Sequence, residues 1–478
     1  MIIVENGKLV KREIKGEGDR QDVRAQGSAA AMASCGDTCS EREVNCIIEC
    51  LNLSTERHPA AMDYHHDVIG MLDPRWKKEF VEFVKVVDSY LYKIRNAHKQ
   101  GKKIGLCNFN SPTEMMIAMD VVPTVSEILS SLNAIIWSGG AEHGIDYCNE
   151  IGLPETMCSA QRAGLGEVFS DRAIAPDFVT SIAPGNCDTN AKIVEFLSEY
   201  LHLPYHTVDD PPYQDEDGYD YIHQEYRRLI SFMETQTGHK LDPDRLLKVC
   251  KESKKCDEYI VGIRELKRAI PNPVPNISVM CECGSKFMAG GTPECTKAIK
   301  TIYEQAKERY KRGEGGGGWA EEKVRCYFGY IDYYLPHFAS WIELQNEGIS
   351  CLGNLLLWYG NDDYTIDLSH VDSMIDSLAD QALNFPMTRQ LNGPYDAKAS
   401  LMEDLVRDCK DLKADCIIFS GHPACKNAWG CVNVVEKAVT EELGLPWLTV
   451  EADCFDERVL PWSAINDKIM EFVNTVVL

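Results

Sequence analysis

The chain has 478 residues, 44% hydrophobic and 26% charged, enough for two or three domains of an ordinary globular protein. Its net charge of -25 argues against nucleic acid and anionic membrane as partners, though a basic pocket or a helix N-terminus still suits a phosphorylated ligand. No apolar run is long enough to cross a bilayer and the first residues carry no signal-peptide core, so a cytoplasmic protein is expected. The 20 cysteines are then not a disulfide framework, and paired CxxC zinc knuckles do not occur. Most are read as buried thiols packed as small hydrophobes, with iron–sulfur ligation open for a few.

Residues 1–72 read as a peripheral N-terminal extension. Within it Cys35, Cys39, Cys46 and Cys50 share one face of a helix, either as a packed surface or as a second metal site. A long amphipathic helix is expected from Asp73 to Lys99. Strands and helices then alternate. "IGLCNF" is a strand, "SPTEMMIAMD" a helix start with Pro112 in its first turn, "DFVTSIA" a strand, "TNAKIVEFLSEY" a helix and "LPYHTVDD" a strand. From Gly218 to Arg312 the pattern is almost all helix, and "GEGGGGW" (Gly313 to Trp319) reads as a flexible linker. That run is not a phosphate loop, because it lacks the GK[ST] ending. Strands resume with "VRCYFGYI", "ISCLGNLLLW" and "DCIIFSG", followed by a helix over Asn427 to Glu442 and the strand "LPWLTVEAD".

These elements predict an α/β fold of two Rossmann-like (flavodoxin-like) parallel-sheet domains with a helical insert and an N-terminal extension. The expected division is 1–72 extension, 73–217 first α/β domain with its leading helix, 218–318 insert and glycine linker, and 319–478 second α/β domain. A weak internal duplication runs through it: "DFVTSIA", Cys187, helix and "LHLPYHTVDD" match "DCIIFSG", Cys425, helix and "LGLPWLTVEAD" in order. Two related domains facing each other form a cleft.

Cys187 and Cys425 both follow a strand and precede a helix, where ligands of open α/β sheets bind and where the macrodipole favours a thiolate. Cys158 precedes a helix start too, with Ser159 as a candidate N-cap. Three thiolates can hold a [4Fe–4S] cluster and leave one iron free of protein thiolate, as a catalytic zinc site leaves a position for substrate. Three inert thiols are the alternative from pattern alone.

The order of "SPTEMMIAMDVVP", "CSAQRAGLG" at Cys158, "PDFVTSIAPGNCD" at Cys187 and "DCIIFSGHPACK" before "GLPWLTVEAD" resembles the catalytic D component of the 2-hydroxyacyl-CoA dehydratases, relatives of the ATP-dependent benzoyl-CoA reductases. The resemblance runs from about Gly101 to the C-terminus and implies a [4Fe–4S] cluster on Cys158, Cys187 and Cys425. It further implies an acyl-CoA thioester substrate, a related second subunit and an ATP-dependent iron–sulfur activator protein. The chemistry it implies is a lyase reaction. One electron added to the thioester carbonyl gives a ketyl radical anion that expels the neighbouring hydroxyl. The enoxy radical then loses its β-proton, and the electron returns to the cluster. An aryl-CoA reductase subunit and a non-catalytic double-cubane or electron-transfer subunit are the other readings. The four N-terminal cysteines and Cys281, Cys283 and Cys295 in the insert depart from the family pattern.

Glu114 is the candidate base, by resemblance to the family's proline–glutamate motif, with helix-dipole complementation as its other reading. His422 and Lys426 flank Cys425 and either meet the cluster or substrate, or serve as solvated or capping groups. Asp188 is expected to be an N-cap. The aromatic run "YFGYIDYYLPHF" is expected in the core or around an acyl pocket.

Overall fold

The structure, a computed structural model, describes residues 2–5, 8–11, 73–136, 140–169, 175–183, 187–211, 214–330, 338–354, 365–386, 388, 400–422, 424–453 and 455–478. Cys35, Cys39, Cys46 and Cys50 lie outside the described residues. Strands β1 (Ile2–Glu5) and β2 (Lys8–Lys11) pair as an antiparallel hairpin. Helix α1 (Lys77–Asn96) matches the expected amphipathic helix and buries Phe80, Phe83, Val86, Tyr90 and Ile94 along one face.

Strands β3 (Lys103–Cys107), β4 (Val121–Val125), β5 (Phe178–Ala183) and β6 (Tyr205–Asp209) form one sheet in the order β4-β3-β5-β6. Strands β7 (Val324–Phe328), β8 (Ile349–Cys351), β9 (Cys416–Gly421) and β10 (Trp447–Glu451) form a second in the order β10-β9-β7-β8. Every pairing in both sheets is parallel. Counted within each sheet, both place the second strand beside the first, then the third and fourth on the other side. The order therefore reverses at equivalent places, between β3 and β5 and between β7 and β9, the places beyond whose strand ends open α/β sheets bind their ligands.

The duplication extends to single hydrogen bonds. Asp177 accepts from the Ile104 amide at 2.7 Å, and its own amide donates to Ile104 O at 2.8 Å. Asp415 does the same to Arg325, at 2.9 Å in each direction. The Leu-Pro steps also match: Val179 N–H donates to Pro204 O at 2.9 Å and Ile417 N–H to Pro446 O at 3.0 Å. Strands β4, β7 and β9 are buried at every residue, as expected of parallel strands covered on both faces.

Helices α2 (Thr113–Ala118), α3 (Ser126–Ile136), α4 (Gly140–Glu150), α5 (Ser159–Phe169) and α6 (Asp188–Leu201) serve the first sheet. The helical stretch between the sheets comprises α7 (Glu216–Thr237), α8 (Pro243–Lys267), α9 (Ser278–Ala289) and α10 (Pro293–Arg312). Asp215, Asp242 and Thr292 cap α7, α8 and α10 with side-chain oxygens. Helices α11 (Phe338–Asn346), α12 (Val371–Leu383), α13 (Ser400–Leu412), α14 (Lys426–Leu443) and α15 (Trp462–Phe472) complete the second half. Among the described residues no helix is long and apolar enough to cross a membrane.

The glycine run is a packed turn rather than a loose tether. Gly315 N–H donates to Trp319 O at 2.8 Å and Gly316 N–H to Asn272 O at 2.7 Å, while Trp319 Nε1 donates to Gln345 O at 2.9 Å. Residues Gly315, Gly316 and Gly317 are buried because lack of a side chain lets the backbone close on its neighbours. A Cβ on Gly316 would lie 2.5 Å from Pro275 N and Val274 C, backbone atoms that cannot swing aside. Gly316→Ala is expected to destabilise by about 1–3 kcal/mol, read as a lower melting temperature. A free linker would show less than about 0.5 kcal/mol.

Candidate functional site

Fifteen cysteines are described, of which Cys158, Cys187, Cys425 and Cys431 alone are partly exposed and the others buried. The three cysteines selected from the sequence are thus among the four that solvent reaches. Each stands at a helix start. Cys187 is the N-cap of α6 in extended conformation, and Cys425 is the N-cap of α14. Cys158 immediately precedes α5, and its carbonyl accepts from the Gln161 and Arg162 amides at 3.1 Å. Asp188 is therefore the first helical residue of α6, not its N-cap. Ser159 likewise opens α5, and its hydroxyl turns to the other half of the molecule instead of capping.

The second half supplies a partner to each side of this group. His422 Nε2 lies 2.9 Å from Cys158 Sγ, and Tyr330 OH lies 3.2 Å from Cys425 Sγ. His422 is 4% exposed, its carbonyl accepts from the Cys425 amide at 2.8 Å, and its Nδ1 is 3.4 Å from Asp453 Oδ2. Asp453 also accepts from Ser159 Oγ and from the amides of Phe455 at 3.0 Å and Asp456 at 2.9 Å. Burial acts to raise the Asp453 carboxyl, but His422, Ser159 and the Phe455 amide outweigh it and hold the pKa at about 2. A cysteine, a histidine and a carboxylate thus run in line across the two halves. Burial pushes the Cys187 thiol up to about 12, helped by the neighbouring Cys425 and opposed by the Asn190 and Thr189 amides. A metal charge would reverse that cost.

The donor set suits a [4Fe–4S] cluster. Tyr330 OH meets Cys425 Sγ at 3.2 Å, and Cys158 reaches the Cys425 loop through His422. Among the described residues no three His, Cys, Asp or Glu side chains are gathered as for a single ion. A four-iron cube spreads its thiolate ligands more widely than one ion does.

Glu114 lies on α2, after β3, and is 7% exposed. Its Oε1 accepts from Ser253 Oγ at 2.7 Å and stands 3.3 Å from Lys286 Nζ, which pairs with Asp257 at 2.7 Å. Burial would raise the carboxyl, yet the Lys286 ammonium and the Ser253 hydroxyl hold it below the usual range. The structure therefore gives it a buried ionic partner from the insert.

Glu127, at the first turn of α3, escaped the sequence reading. It is partly exposed, its Oε2 accepts from the Phe109 amide and Ser126 Oγ, and burial of the carboxyl raises its pKa. Nothing in its sequence neighbourhood distinguishes it from any acid in a first helical turn. Cys281, Cys283 and Cys295 are buried, Cys295 3.7 Å from Cys256. The side chains of Lys426 and Asp188 and residues 331–337 of the aromatic run lie outside the described residues. Tyr327, Phe328 and Tyr330 of that run are buried, as expected of core.

A family model for the 2-hydroxyglutaryl-CoA dehydratase D-component matches residues 108–476. The alpha subunit of (R)-2-hydroxyisocaproyl-CoA dehydratase from Clostridioides difficile is 22% identical over 80% of this chain and 91% of its own. The alpha subunit of (R)-2-hydroxyglutaryl-CoA dehydratase from Acidaminococcus fermentans is 20% identical over 59% of this chain and 57% of its own. A subunit of benzoyl-CoA reductase from Thauera aromatica is 20% identical over 76% of this chain and 86% of its own. With three part-exposed thiols on helix starts, two equivalent parallel sheets and a match spanning most of its length, the chain belongs to the 2-hydroxyglutaryl-CoA dehydratase D-component family.

Proposed function

We propose that the chain is the iron–sulfur subunit of a 2-hydroxyacyl-CoA dehydratase, with Cys158, Cys187 and Cys425 holding a [4Fe–4S] cluster. The observation that carries this is the character of these three thiols, partly exposed and on helix N-termini, two of them directly after sheet strands. Held by Cys158, Cys187 and Cys425, such a cluster would supply one-electron chemistry at low potential. The chain's own residues bind and shield. His422 and Tyr330 hydrogen-bond ligand sulfurs. Phe109 packs edge-on against Phe287 at 5.5 Å and Phe385 at 6.1 Å, an apolar group just past β3 that suits an acyl chain and excludes water. The base for the β-proton is proposed to be Glu114, kept ionised by Lys286 as a base must be. The named relatives are each one subunit of an enzyme, which supports a related partner subunit. An ATP-dependent activator is proposed to deliver the electron.

The benzoyl-CoA reductase relative, similar at nearly the same identity, supports a second reading as an aryl-CoA reductase subunit. Protein purified without oxygen should carry iron and sulfide. With activator, partner and ATP, it should turn over a 2-hydroxyacyl-CoA. Turnover of benzoyl-CoA instead selects the second reading. A cluster whose spectrum ignores every acyl-CoA indicates an electron-transfer subunit, and protein without iron and sulfide sinks all three.

A further inference from the structure

The loop that leaves β10 crosses to the first half of the molecule at three points. Asp453, 5% exposed, accepts from Ser159 Oγ at the start of α5, while its other oxygen lies 3.4 Å from His422 Nδ1. Two residues on, Phe455 is buried in a small apolar group whose other buried members, Ala141 and Ile145 of α4 and Ala163 of α5, all belong to the first half. Arg458 Nη1 then reaches the two carboxylate oxygens of Asp146 on α4 at 2.9 and 3.2 Å, its guanidinium held at 2.7 and 2.8 Å by Asp456 of its own loop. The amides of Phe455 and Asp456 donate to the same Asp453 oxygen that takes the Ser159 hydroxyl, so the loop and the start of α5 are tied to one atom. Ser159 adjoins Cys158 and His422 Nε2 meets Cys158 Sγ, so Asp453 reaches that cysteine's surroundings by two routes. Ser159 and His422 are 0% and 4% exposed, so solvent cannot replace these contacts.

We infer that Asp453 is a positioning residue that fixes Cys158 of the first half against Cys425 of the second, acting through Ser159 and His422. The inference rests on the cysteine assignment proposed above. Under that assignment Cys158 and Cys187 come from the first half and Cys425 from the second, so one cube spans two separately built sheets. Each sheet places its own cysteines, and neither sets the distance between the halves. Apolar contact such as that of Phe455 draws the halves together with little directional preference, whereas hydrogen bonds to a buried carboxylate fix distance and angle. A carboxylate has acceptor sites for the Ser159 hydroxyl, both loop amides and the His422 ring at once, a task a hydroxyl at this position performs only in part.

The test compares Asp453→Ala, Asp453→Asn, Ser159→Ala, the Asp453→Ala/Ser159→Ala pair and Arg458→Ala in anaerobically purified protein. Measured are iron per chain, the rate of iron release to a chelator and the electron paramagnetic resonance line shape of the reduced cluster. Melting and hydrogen exchange at the start of α5 are measured in cluster-free protein. Asp453→Ala is expected to release iron at least about tenfold faster with an altered line shape, the usual cost of an outer-shell partner, and to exchange faster at the start of α5. Ser159→Ala should shift release in the same direction by less. Asp453→Asn keeps an acceptor for Ser159 and the two amides and should recover most of the retention. The pair should be no worse than Asp453→Ala alone, since Ser159 acts through the carboxylate. Arg458→Ala removes only an exposed ion pair of the same loop and should release iron at the wild-type rate. Wild-type release and line shape in Asp453→Ala, or losses that simply add in the pair, overturn the inference while the cysteine assignment stands. An equal loss in Arg458→Ala also overturns it, because any loosening of the halves would then suffice. So does a release rate that follows only the melting of cluster-free protein, and Ser159→Ala provides that comparison if Asp453→Ala does not fold. Wild-type protein without iron overturns both.

Discussion

Cys187→Ala is expected to leave the protein with little of the roughly four irons per chain of a single cube, and Cys158→Ala and Cys425→Ala to do the same. Removing a ligand opens a second iron to solvent, a larger insult than loss of any outer-shell partner. The informative control is Cys431→Ala. Cys431 is the fourth partly exposed thiol among the described residues, on the second turn of α14, close enough to Cys425 for its charge to be felt. If exposure alone selected ligands, Cys431→Ala would lose iron as well. If a helix start is the requirement, it keeps its iron. Cys326→Ala tests the opposite class, a buried thiol 3.2 Å from Cys416 inside the second sheet, and should lower stability without touching iron content. Full iron in any of the three ligand variants removes that residue from the set.

The parts of this molecule legible in the sequence are those with local causes. Strand-to-helix steps, the Leu-Pro strand starts and the cysteines at helix N-termini each follow from a few adjacent residues, and together they predict two equivalent sheets. The repeated aspartates Asp177 and Asp415 are visible in the sequence as strand-start acids, but their bonds to Ile104 and Arg325 are tertiary. The same limit hid the rest of the site. Cys158 and His422 are 264 positions apart and Ser159 and Asp453 are 294, distances no motif spans. Glu127 meets the side-chain amides of Gln161 and Asn190 only because α5 and α6 start side by side. The glycine run misleads for a related reason: glycine permits a loose linker and a close-packed turn equally, and only the neighbouring backbone of Asn272 and Val274 decides.

Glu114→Gln is expected to keep its iron and accept an electron, yet turn over at least about a hundredfold more slowly, the lower range for loss of a general base. The buried network complicates this variant and also makes it decisive. Lys286 keeps Asp257 at 2.7 Å when Glu114 becomes neutral, so the ammonium is not left unpaired. Glutamine still offers an oxygen to Ser253, and the stability cost is about 1–3 kcal/mol, that of weakened buried hydrogen bonding. A purely structural role for Glu114 gives that cost with near-normal turnover. A role in proton removal gives the turnover loss whether or not melting falls. Lys286→Met separates the two further. It strips the ion pair from both carboxylates and leaves buried charge behind, which costs roughly 3–5 kcal/mol. It also removes the ammonium that holds Glu114 below the usual carboxylate range, so burial then raises the carboxyl. If Glu114 takes the β-proton, activity of the folded fraction of Lys286→Met should rise with pH as the carboxyl ionises, while that of the parent chain does not. Normal turnover in Glu114→Gln and a flat profile in Lys286→Met would assign the pair to holding the insert against the first sheet. The base would then have to be sought among the carboxylates at the strand ends.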